Sequence, residues 1–396
     1  MTPLEKLYER APLGMRLGLE PMKRACAAEG EPQEAFASVH VAGTNGKGSV
    51  SAMVERIARE AGLRTGLYTS PHLCRFAERI RVDGEPIDDR ALGEHLVCAL
   101  DHELSFFETA TLAGFLALRA ARVDLAIIEV GLGGRLDATN VIRAPRAAAI
   151  TRIALDHTQL LGDTLEAIAR EKAAIAKPGL DLVLGPCSPS VRDAIETTAR
   201  AAGATVSMAE DDREAAESLQ NATIGLAGAH QRDNARIAWI LGRRIGASPD
   251  ACTRGIAKVE WPGRLETIRG GETTALLDAA HNPDGAHALA AFLSSRDPRQ
   301  TALVFGTLAD KAWPEMIDAL APRAAHRFYV APKGRTATDP REIAARHAGT
   351  VVASTTEAFE LAKRQAPCVV ACGSISIVGE VRAMLLDLPR DPPIAL

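Results

Sequence analysis

The spacing of apolar residues between positions 38 and 61 predicts a strand, a tight turn and a helix. Residues 38–42 form a short, mostly apolar run of the length that a buried strand has. From residue 49 onward, apolar side chains recur at helical spacing, at Val50, Met53, Val54, Ile57 and Ala58. Between the two lies GTNGKGS (43–49), whose glycines favour a turn.

The alternation of strand and helix continues along the chain and divides it near WPGR (261–264). Before this segment the pattern predicts further strands at 65–68, 124–129, 146–150 and 182–185, and helices at 165–177 and 191–202. After it, strands are predicted at 274–278, 301–305, 326–330, 350–353 and 368–371. We therefore predict an α/β protein of two domains, residues 1–262 with a mostly parallel sheet and residues 263–396, which are smaller and Rossmann-like.

The glycine-rich turn resembles a phosphate-binding loop but departs from the common pattern G-x-x-x-x-G-K-[ST]. Val41 stands where that pattern has its first glycine, and Gly48 separates Lys47 from Ser49. A turn between a strand and a helix places backbone N–H groups and the positive end of the helix dipole around an anion. Lys47 can then reach a nucleotide phosphate, and the Ser49 hydroxyl can reach Mg²⁺. A glycine-rich turn without a ligand is the alternative that the loop alone leaves open.

Composition excludes several classes of partner. The chain has 396 residues and a net charge of −4, so no basic surface indicates binding to nucleic acid or to an anionic membrane. The first residues lack the apolar core of a signal peptide, and no apolar run is long enough to span a bilayer. Seven cysteines are scattered without a metal-binding pattern. We expect a cytoplasmic protein.

Polar residues follow two of the predicted strands, where the chemistry of α/β sheets collects. Glu129 ends one apolar strand and is followed by a glycine-rich loop, and Asp156 and His157 follow another. A carboxylate at such a strand end is suited to Mg²⁺, and an aspartate beside a histidine is suited to a metal or phosphate site. A solvated glutamate and a structural histidine are the alternatives.

A series of segments, taken in order, resembles one known family. The segments are GTNGKGS (43–49), YTSPHL (68–73), EVGLGGRLDATN (129–140), ALDHTQLLGDT (154–164), IAREKAAIAKPG (168–179), WPGRLE (261–266), LDAAHNP (277–283), FGTLADK (305–311) and CGS (372–374). Over residues 17–379 the chain is similar to the folylpolyglutamate synthase/dihydrofolate synthase family, within the wider group of Mur-type amide ligases. The shortened phosphate loop resembles that group's own version of the motif.

The resemblance implies ATP-dependent amide formation. In this family a carboxylate of a pterin substrate attacks the γ-phosphate of ATP, which gives an acyl phosphate and ADP. The amine of L-glutamate then attacks the activated carbonyl and expels phosphate. The implied partners of a monomeric enzyme are dihydropteroate, tetrahydrofolate and its polyglutamates, and L-glutamate. Because the segments around 105–108 and 136–138 resemble those of bifunctional members, we expect both dihydrofolate synthesis and extension of the glutamate tail.

The resemblance also implies roles for individual residues. The implied nucleotide contacts are Asn45, Gly46, Lys47, Gly48, Ser49, Asn234, Arg264 and Asp278, and the implied ligands of two Mg²⁺ ions include Ser70, Glu129 and His157. The implied pterin contacts are Ser105, Phe106, Phe107, Glu108, Leu136, Asp137 and Ala138, with residues 17–20 nearby, and the implied glutamate contacts are His281 and Ser374. Lys47, His157, Lys172 and Arg264 are the implied catalytic residues. For the two phenylalanines, packing in the core is the alternative to stacking on a pterin ring.

Lys172 receives opposite interpretations from the sequence and from the resemblance. Its amphipathic surroundings predict a solvated lysine on a helix, because lysine is rarely buried without a partner. In the family, the lysine of this segment is commonly carbamylated by CO₂. A carbamate is an anion that can support a second Mg²⁺ beside His157, whereas an ammonium group would repel the ion. We therefore expect a CO₂-derived carbamate on Lys172.

Other classes of protein remain to be separated. A P-loop kinase would use the same loop but would release a phosphorylated product, and a nucleotide sensor would not need Glu129, His157 and Arg264 together. A monofunctional folylpolyglutamate synthase or a cell-wall amide ligase of the Mur type are the nearest alternatives. Cell-wall ligases usually carry a further N-terminal domain, and only about 37 residues precede the first predicted strand here, too few for another domain.

Overall fold

The computed structural model describes residues 1–11 and 18–392, which fall into two compact units. The first unit comprises Met1–His72, Ala77–Gly225 and Gln231–Glu260. The second comprises Leu73–Phe76, Leu226–His230 and the chain from Trp261 onward. Two short segments therefore belong to the second unit although they lie within the sequence of the first.

The first unit is built around one sheet, with helices before and after most strands. Its strands are β1 (Ala37–Ala42), β2 (Thr65–Tyr68), β3 (Ile80–Val82), β4 (Glu85–Pro86), β5 (Leu125–Glu129), β6 (Ala147–Ile150), β7 (Asp181–Leu184) and β8 (Thr205–Met208). Its helices are α1 (Pro3–Tyr8), α2 (Glu20–Ala28), α3 (Lys47–Glu60), α4 (Asp89–Leu100), α5 (Phe106–Ala120), α6 (Thr158–Leu161), α7 (Leu165–Ala173), α8 (Pro189–Ala201), α9 (Arg213–Leu219), α10 (Gln231–Arg244) and α11 (Pro249–Lys258).

The strands of this sheet lie in the order β4-β3-β2-β5-β1-β6-β7-β8. β1 pairs in parallel with β5 and β6, so the strand that enters the phosphate loop lies in the middle of the sheet. Within this sheet, antiparallel pairing among the described strands is confined to one edge, where β3 pairs with both β2 and β4. Every residue of β5 and β6 is buried, as expected for parallel strands covered on both faces.

The second unit has its own sheet. Its strands are β9 (Glu266–Gly270), β10 (Thr273–Leu277), β11 (Thr301–Phe305), β12 (His326–Tyr329), β13 (Thr350–Val351) and β14 (Cys368–Cys372). Its helices are α12 (Pro283–Leu293), α13 (Trp313–Leu320), α14 (Pro340–Arg346), α15 (Thr355–Gln365) and α16 (Ile375–Leu386). The order is β13-β12-β11-β14-β10-β9, with β9 antiparallel to β10 and the other pairs parallel.

Both faces of the second sheet are covered by apolar layers. Along β11, Leu303 and Phe305 pack on the side of α12 and α13, whereas Ala302 and Val304 pack on the side of α15 and α16. This division follows from the alternation of side chains along a strand. The structure confirms the predicted fold class, two α/β units with largely parallel sheets.

The sequence pattern missed strands at the sheet edges and misjudged one helix end. β3, β4, β8 and β9 were not predicted, because they are short or only partly buried and so lack a long apolar run. α7 ends at Ala173, whereas the pattern extended it to residue 177. The carbonyl of Ala174 accepts a hydrogen bond from Asn140 Nδ2 (3.2 Å), so a side chain replaces the next turn of the helix.

Candidate active site

The phosphate loop requires glycine at two positions for steric reasons. Gly43 and Gly46 have φ values of 145° and 92°, which favour glycine. A Cβ on Gly43 would lie 1.8 Å from Thr151 Oγ1, and one on Gly46 would lie 2.4 Å from Asn234 Oδ1. The loop is therefore packed so closely against its neighbours that no larger residue fits. Gly46 is the N-cap of α3, which places the loop at the positive end of a helix dipole.

Hydrogen bonds from neighbouring elements fix the shape of the loop. The backbone N–H of Thr44 donates to Arg152 O (2.8 Å), and Thr151 Oγ1 donates to Asn45 O (2.7 Å). Lys47 Nζ donates to the carbonyls of Gly43 and Thr44 at 3.1 and 3.0 Å, so the ammonium group lies over the loop. A nucleotide phosphate placed on this loop would meet a cation that is already positioned.

The start of α10 reaches the same loop. Asn234 Nδ2 donates to Gln231 Oε1 (2.9 Å), and Gln231 Nε2 donates to Ser49 Oγ (3.3 Å). Gly48 and Ser49 are buried in the first turn of α3. The structure thus brings the predicted nucleotide contacts Asn45 to Ser49 together with Asn234.

The predicted metal ligands lie at the carboxyl ends of strands of the first unit. Glu129 ends β5 and is buried, and its Oε2 accepts a hydrogen bond from the N–H of Ser70 (3.3 Å). Ser70 precedes Pro71 through a cis peptide bond. His157 follows β6 and adopts a left-handed conformation (φ 51°), with Nε2 3.9 Å from Asp156 Oδ1. The structure therefore brings Ser70 and Glu129 together, and pairs His157 with a carboxylate.

Lys172 is buried, contrary to what its sequence context predicts. The side chain lies on α7 with the residue only 4% exposed. Burial, reinforced by the positive charge of Lys47, lowers the pKa of Lys172 to about 7, while Asp156 and Asp137 act in the opposite direction. The amine is therefore neutral in an appreciable fraction of molecules near neutral pH, and it interacts electrostatically with the phosphate loop and with both aspartates.

The glycine-rich loop after β5 packs against α7. A Cβ on Gly134 would lie 2.6 Å from Glu171 O, and the N–H of Arg135 donates to the same carbonyl (2.9 Å). Asp137 is buried and accepts hydrogen bonds from the N–H of Leu132 (2.8 Å) and of Thr139 (3.0 Å). Burial raises the pKa of Asp137, and these donors oppose the rise. Leu136 is half-buried and Ala138 is buried in the same turn.

The segment at 105–108 forms the start of α5. Ser105 is the N-cap and Glu108 completes a capping box, with Glu108 Oε2 accepting from the N–H (2.8 Å) and Oγ (2.7 Å) of Ser105. Phe106 is buried, and the guanidinium carbon of Arg79 lies 5.5 Å from its ring centroid. Phe107 is half-buried beside Tyr68, with ring centroids 6.4 Å apart. Of the two rings, only Phe107 has an accessible surface of any size.

In the second unit, a buried carboxylate fixes the turn that carries Arg264. Asp278 follows β10 and accepts from the N–H groups of Leu265 (2.9 Å) and Ala280 (3.0 Å). Burial raises the pKa of Asp278, and Arg264, these donors and His230 oppose the rise. Arg264 is half-buried, with a weak bond from NH1 to Gly263 O (3.4 Å). Asp278 and Arg264 are therefore neighbours.

His281 and Ser374 lie at the carboxyl ends of the adjacent strands β10 and β14. His281 Nδ1 lies 2.8 Å from Ala279 O, and since a carbonyl only accepts, Nδ1 is the donor. Ser374 is the N-cap of α16 and accepts from the N–H of Ser376 (3.3 Å). The N–H of Gly373 donates to Ala280 O (2.9 Å), which ties the two loops together.

Three residues of these sites were not predicted from the sequence, and one predicted residue lies outside the part of the chain that the structure describes. Thr151, Gln231 and Arg79 were given no role, because a hydroxyl, an amide or a buried arginine carries no spacing signal in a single sequence. Of the predicted segment 17–20, Leu17 lies outside the described residues.

Within residues 1–11 and 18–392, no three His, Cys, Asp or Glu side chains form a metal-binding group, and no helix is long and apolar enough to cross a membrane.

Comparison with known families matches each half of the chain to a different domain of the Mur ligases. Residues 41–182 match the Mur ligase middle domain, and residues 263–375 match the Mur ligase, glutamate ligase domain. A dihydrofolate synthase/folylpolyglutamate synthase of Bacillus subtilis is 36% identical over 349 residues, covering 79% of this chain and 81% of the relative. The chain belongs to the folylpolyglutamate synthase/dihydrofolate synthase family. The resemblance in the sequence is thereby confirmed.

Other members of the family extend the comparison. A probable bifunctional folylpolyglutamate synthase/dihydropteroate synthase of Haloferax volcanii is 34% identical over 419 residues, covering 95% of this chain and 49% of the relative. The chain thus spans about half the length of this relative. The crystal structure of a bifunctional folylpolyglutamate synthase/dihydrofolate synthase from Yersinia pestis, complexed with AMPPNP and a Mn ion, is 30% identical, with a TM-score of 0.85 and 94% of each chain covered.

Proposed function

We propose that the protein is an ATP-dependent ligase that adds L-glutamate to dihydropteroate and to tetrahydrofolate and its polyglutamates. The observation that carries the proposal is a phosphate loop shaped for an anion, with the ammonium group of Lys47 already over it. The similarity of both halves of the chain to Mur ligase domains, and of the chain to a bifunctional relative, supports it. In the proposed reaction a substrate carboxylate takes the γ-phosphoryl group of ATP, giving an acyl phosphate and ADP. The amine of L-glutamate then forms the amide and releases phosphate.

The residues of the first unit suit the first half of this reaction. Transfer of a phosphoryl group to a carboxylate brings several negative charges together, so cations and fixed N–H donors are needed. Lys47 and the N–H groups at the start of α3 provide them, and Asn234 lies beside the loop. The Yersinia pestis relative binds AMPPNP on a chain of the same fold, which supports ATP as the co-substrate.

Mg²⁺ fits the donors at or after the carboxyl ends of β2, β5 and β6. Glu129 offers a buried carboxylate, Ser70 a hydroxyl and His157 an imidazole, and phosphate oxygens of the nucleotide would complete each coordination shell. When bound, the ions neutralise phosphate charge. The Mn ion of the relative supports a divalent cation, and we propose two Mg²⁺ ions here.

A carbamate on Lys172 fits the electrostatic surroundings of that side chain. Carbamylation requires a neutral amine, and the lowered pKa of Lys172, about 7, provides one. The modified side chain would be an anion on α7, within electrostatic reach of the cation Lys47. We propose that this carbamate supports the second ion together with His157, and that Lys47, His157, Lys172 and Arg264 are the catalytic residues.

The second half of the reaction is assigned to the domain at 263–396, and the pterin site to the domain at 1–262. Asp278 and Arg264 would contact the nucleotide, and His281 and Ser374 would hold the incoming glutamate. The pterin would contact the loop at 136–138 and the start of α5, with Phe107 the ring that has accessible surface. We further propose a monomer that acts in the cytoplasm; its seven cysteines, none of them in a disulfide, suit a reducing compartment.

Release of ADP and phosphate with different substrate pairs tests the proposal. Dihydropteroate, tetrahydrofolate and a cell-wall precursor would each be supplied as acceptor, with L-glutamate, meso-diaminopimelate or L-lysine as donor. Turnover is expected only when a pterin acid and L-glutamate are both present, and mass spectrometry should show one added glutamate per cycle. Activity with tetrahydrofolate but never with dihydropteroate would indicate a monofunctional enzyme. Activity with a cell-wall precursor and none with pterins would refute the proposal.

A further inference from the structure

A buried chain of hydrogen bonds joins the strand of the phosphate loop to the predicted pterin loop. His40 lies on β1, three residues before Gly43, and is completely buried. Its Nε2 lies 2.8 Å from Thr139 Oγ1, and Thr139 Oγ1 lies 2.5 Å from Asp137 Oδ1. Neither His40 nor Thr139 has a part in the function proposed above.

The groups at the two ends of this series of hydrogen bonds determine which group donates in each bond. Burial raises the pKa of Asp137, but both of its oxygens accept backbone N–H hydrogen bonds, Oδ1 from Thr139 and Oδ2 from Leu132, and these donors favour the ionised form, which cannot donate. The single hydroxyl proton of Thr139 therefore points to Asp137, and the Thr139 oxygen must accept from His40. At the other end, His40 Nδ1 is buried and has no hydrogen-bond partner among the described residues, so an unprotonated nitrogen there costs less than a buried N–H would.

These constraints fix the tautomer and the charge of the His40 ring. Nε2 carries the proton, Nδ1 is bare, and the ring is neutral because burial, assisted by the nearby charge of Lys177, lowers its pKa to about 3. The order of donation is thus His40 to Thr139 to Asp137. Asp137 in turn holds the N–H of Leu132, which lies in the glycine-rich loop between Glu129 and the pterin segment.

We infer that His40 and Thr139 are positioning residues for the pterin substrate, acting by orienting the Asp137 carboxylate and, through it, the loop at 131–138. This role rests on the proposed function, because it assumes that this loop contacts the pterin. It also explains why an imidazole ring is buried in the middle of a central strand, where His40 is flanked by Val39 and Val41. Neither residue touches the substrate itself.

Paired substitutions separate positioning from packing. Thr139→Val keeps the shape of the side chain but removes the hydroxyl, whereas Thr139→Ser keeps the hydroxyl and removes a methyl group. A hydrogen bond to a carboxylate is worth roughly 10- to 100-fold in an equilibrium constant, so Thr139→Val should raise the KM for dihydropteroate by about 10-fold or more. The KM for ATP should change by less than about twofold, and Thr139→Ser should resemble the wild type. Equal effects of the two variants on the KM for dihydropteroate would overturn the inference.

Substitutions at His40 test the order of the chain. His40→Leu should raise the KM for dihydropteroate, and His40→Gln, whose amide N–H can donate to Thr139, should restore most of the wild-type value. Because the two residues act in series, His40→Leu combined with Thr139→Val should be no worse than Thr139→Val alone. Fully multiplicative effects, or parallel rises in the KM for ATP and for dihydropteroate, would contradict a shared path to Asp137.

A spectroscopic test is independent of activity. In wild-type protein labelled with ¹⁵N-histidine, the signals that vanish in His40→Gln should belong to a neutral ring protonated on Nε2, and they should move in Thr139→Val. A ring protonated on Nδ1, or an imidazolium ion, would overturn the chain even if the enzyme is active. If wild-type protein ligated no pterin at all, the proposed function would fail, while the spectrum would still decide the hydrogen-bond order.

Discussion

At the scale of single residues, Lys172 shows how burial changes the chemistry that a side chain can perform. An amphipathic helix places most lysines in water, yet this lysine of α7 is buried and interacts electrostatically with Lys47, Asp156 and Asp137. Desolvation penalises the ammonium form, so the neutral amine that CO₂ attacks becomes accessible near neutral pH. The spacing of residues in the sequence did not predict the burial of Lys172, because that burial depends on the glycine-rich loop, which packs on α7 through Gly134.

Lys172→Ala should abolish ligation, because the variant lacks the anion that would support the second metal ion. Acetate or formate added to the buffer should restore part of the activity by filling the place of the carbamate. Lys363→Ala, which removes a partly exposed lysine paired with Glu360, is the control and should retain full activity. Initial rates of ADP release would be measured for Lys172→Ala without added acid, for Lys172→Ala with acetate or formate, and for Lys363→Ala. Full activity of Lys172→Ala without added acid would refute the role of the carbamate.

Glu129→Gln and Lys47→Ala should each reduce turnover by roughly 100-fold or more, the loss expected when one charge contact to the transition state is removed. Glu129 is the last residue of β5 and Lys47 the first of α3, so the fold should survive, as circular dichroism would show. Glu94→Gln, a change at an exposed position on α4, is the control. Near-normal turnover in either variant would mean that the metal or the phosphate lies elsewhere.

At the scale of elements, the turn between β1 and α3 depends on glycine more than its sequence pattern indicates. Gly43→Ala would drive a Cβ into Thr151 and strain a backbone with φ of 145°. We expect it to destabilise the protein by about 1–3 kcal/mol and to weaken ATP binding at least ~10-fold. Thermal unfolding and nucleotide titration would measure the two effects.

Gly93→Ala is the matched control for Gly43→Ala. Gly93 lies in α4, where a Cβ would meet only Pro3 Cγ at 3.9 Å. Alanine should stabilise this helix by about 0.5–1 kcal/mol and leave ATP binding unchanged. If both variants bound ATP like the wild type, close packing of Gly43 on Thr151 would not be needed for function.

The elements that the sequence predicted well are the buried ones. β1, β5, β6, β11 and β14 have apolar runs because both of their faces are covered. Edge strands such as β4, with both residues exposed, leave no such run. The end of α7 was missed because Asn140, from a distant loop, caps Ala174. Tertiary contacts of this kind are invisible to local periodicity.

At the scale of the whole molecule, the order of motifs predicted the family and the two-unit architecture, but not how the chain is shared between the units. Leu73–Phe76 and Leu226–His230 belong to the second unit although each is flanked by residues of the first. No change in composition marks them. A sequence pattern follows the chain, whereas a compact unit is defined by contacts in space, so such excursions escape a linear division.

The cysteines permit a test of the whole structure. None of the seven, all of which the structure describes, forms a disulfide; Cys98 is exposed, Cys187 is half-buried, and Cys26, Cys74, Cys252, Cys368 and Cys372 are buried. In the native protein a thiol reagent should therefore modify Cys98 quickly and Cys187 more slowly, since partial burial raises the pKa of Cys187. The other thiols should react only after unfolding, and Cys98→Ser should remove the fast phase. The unfolding temperature should not depend on reductant; a decrease on adding dithiothreitol would show a disulfide that this structure does not contain.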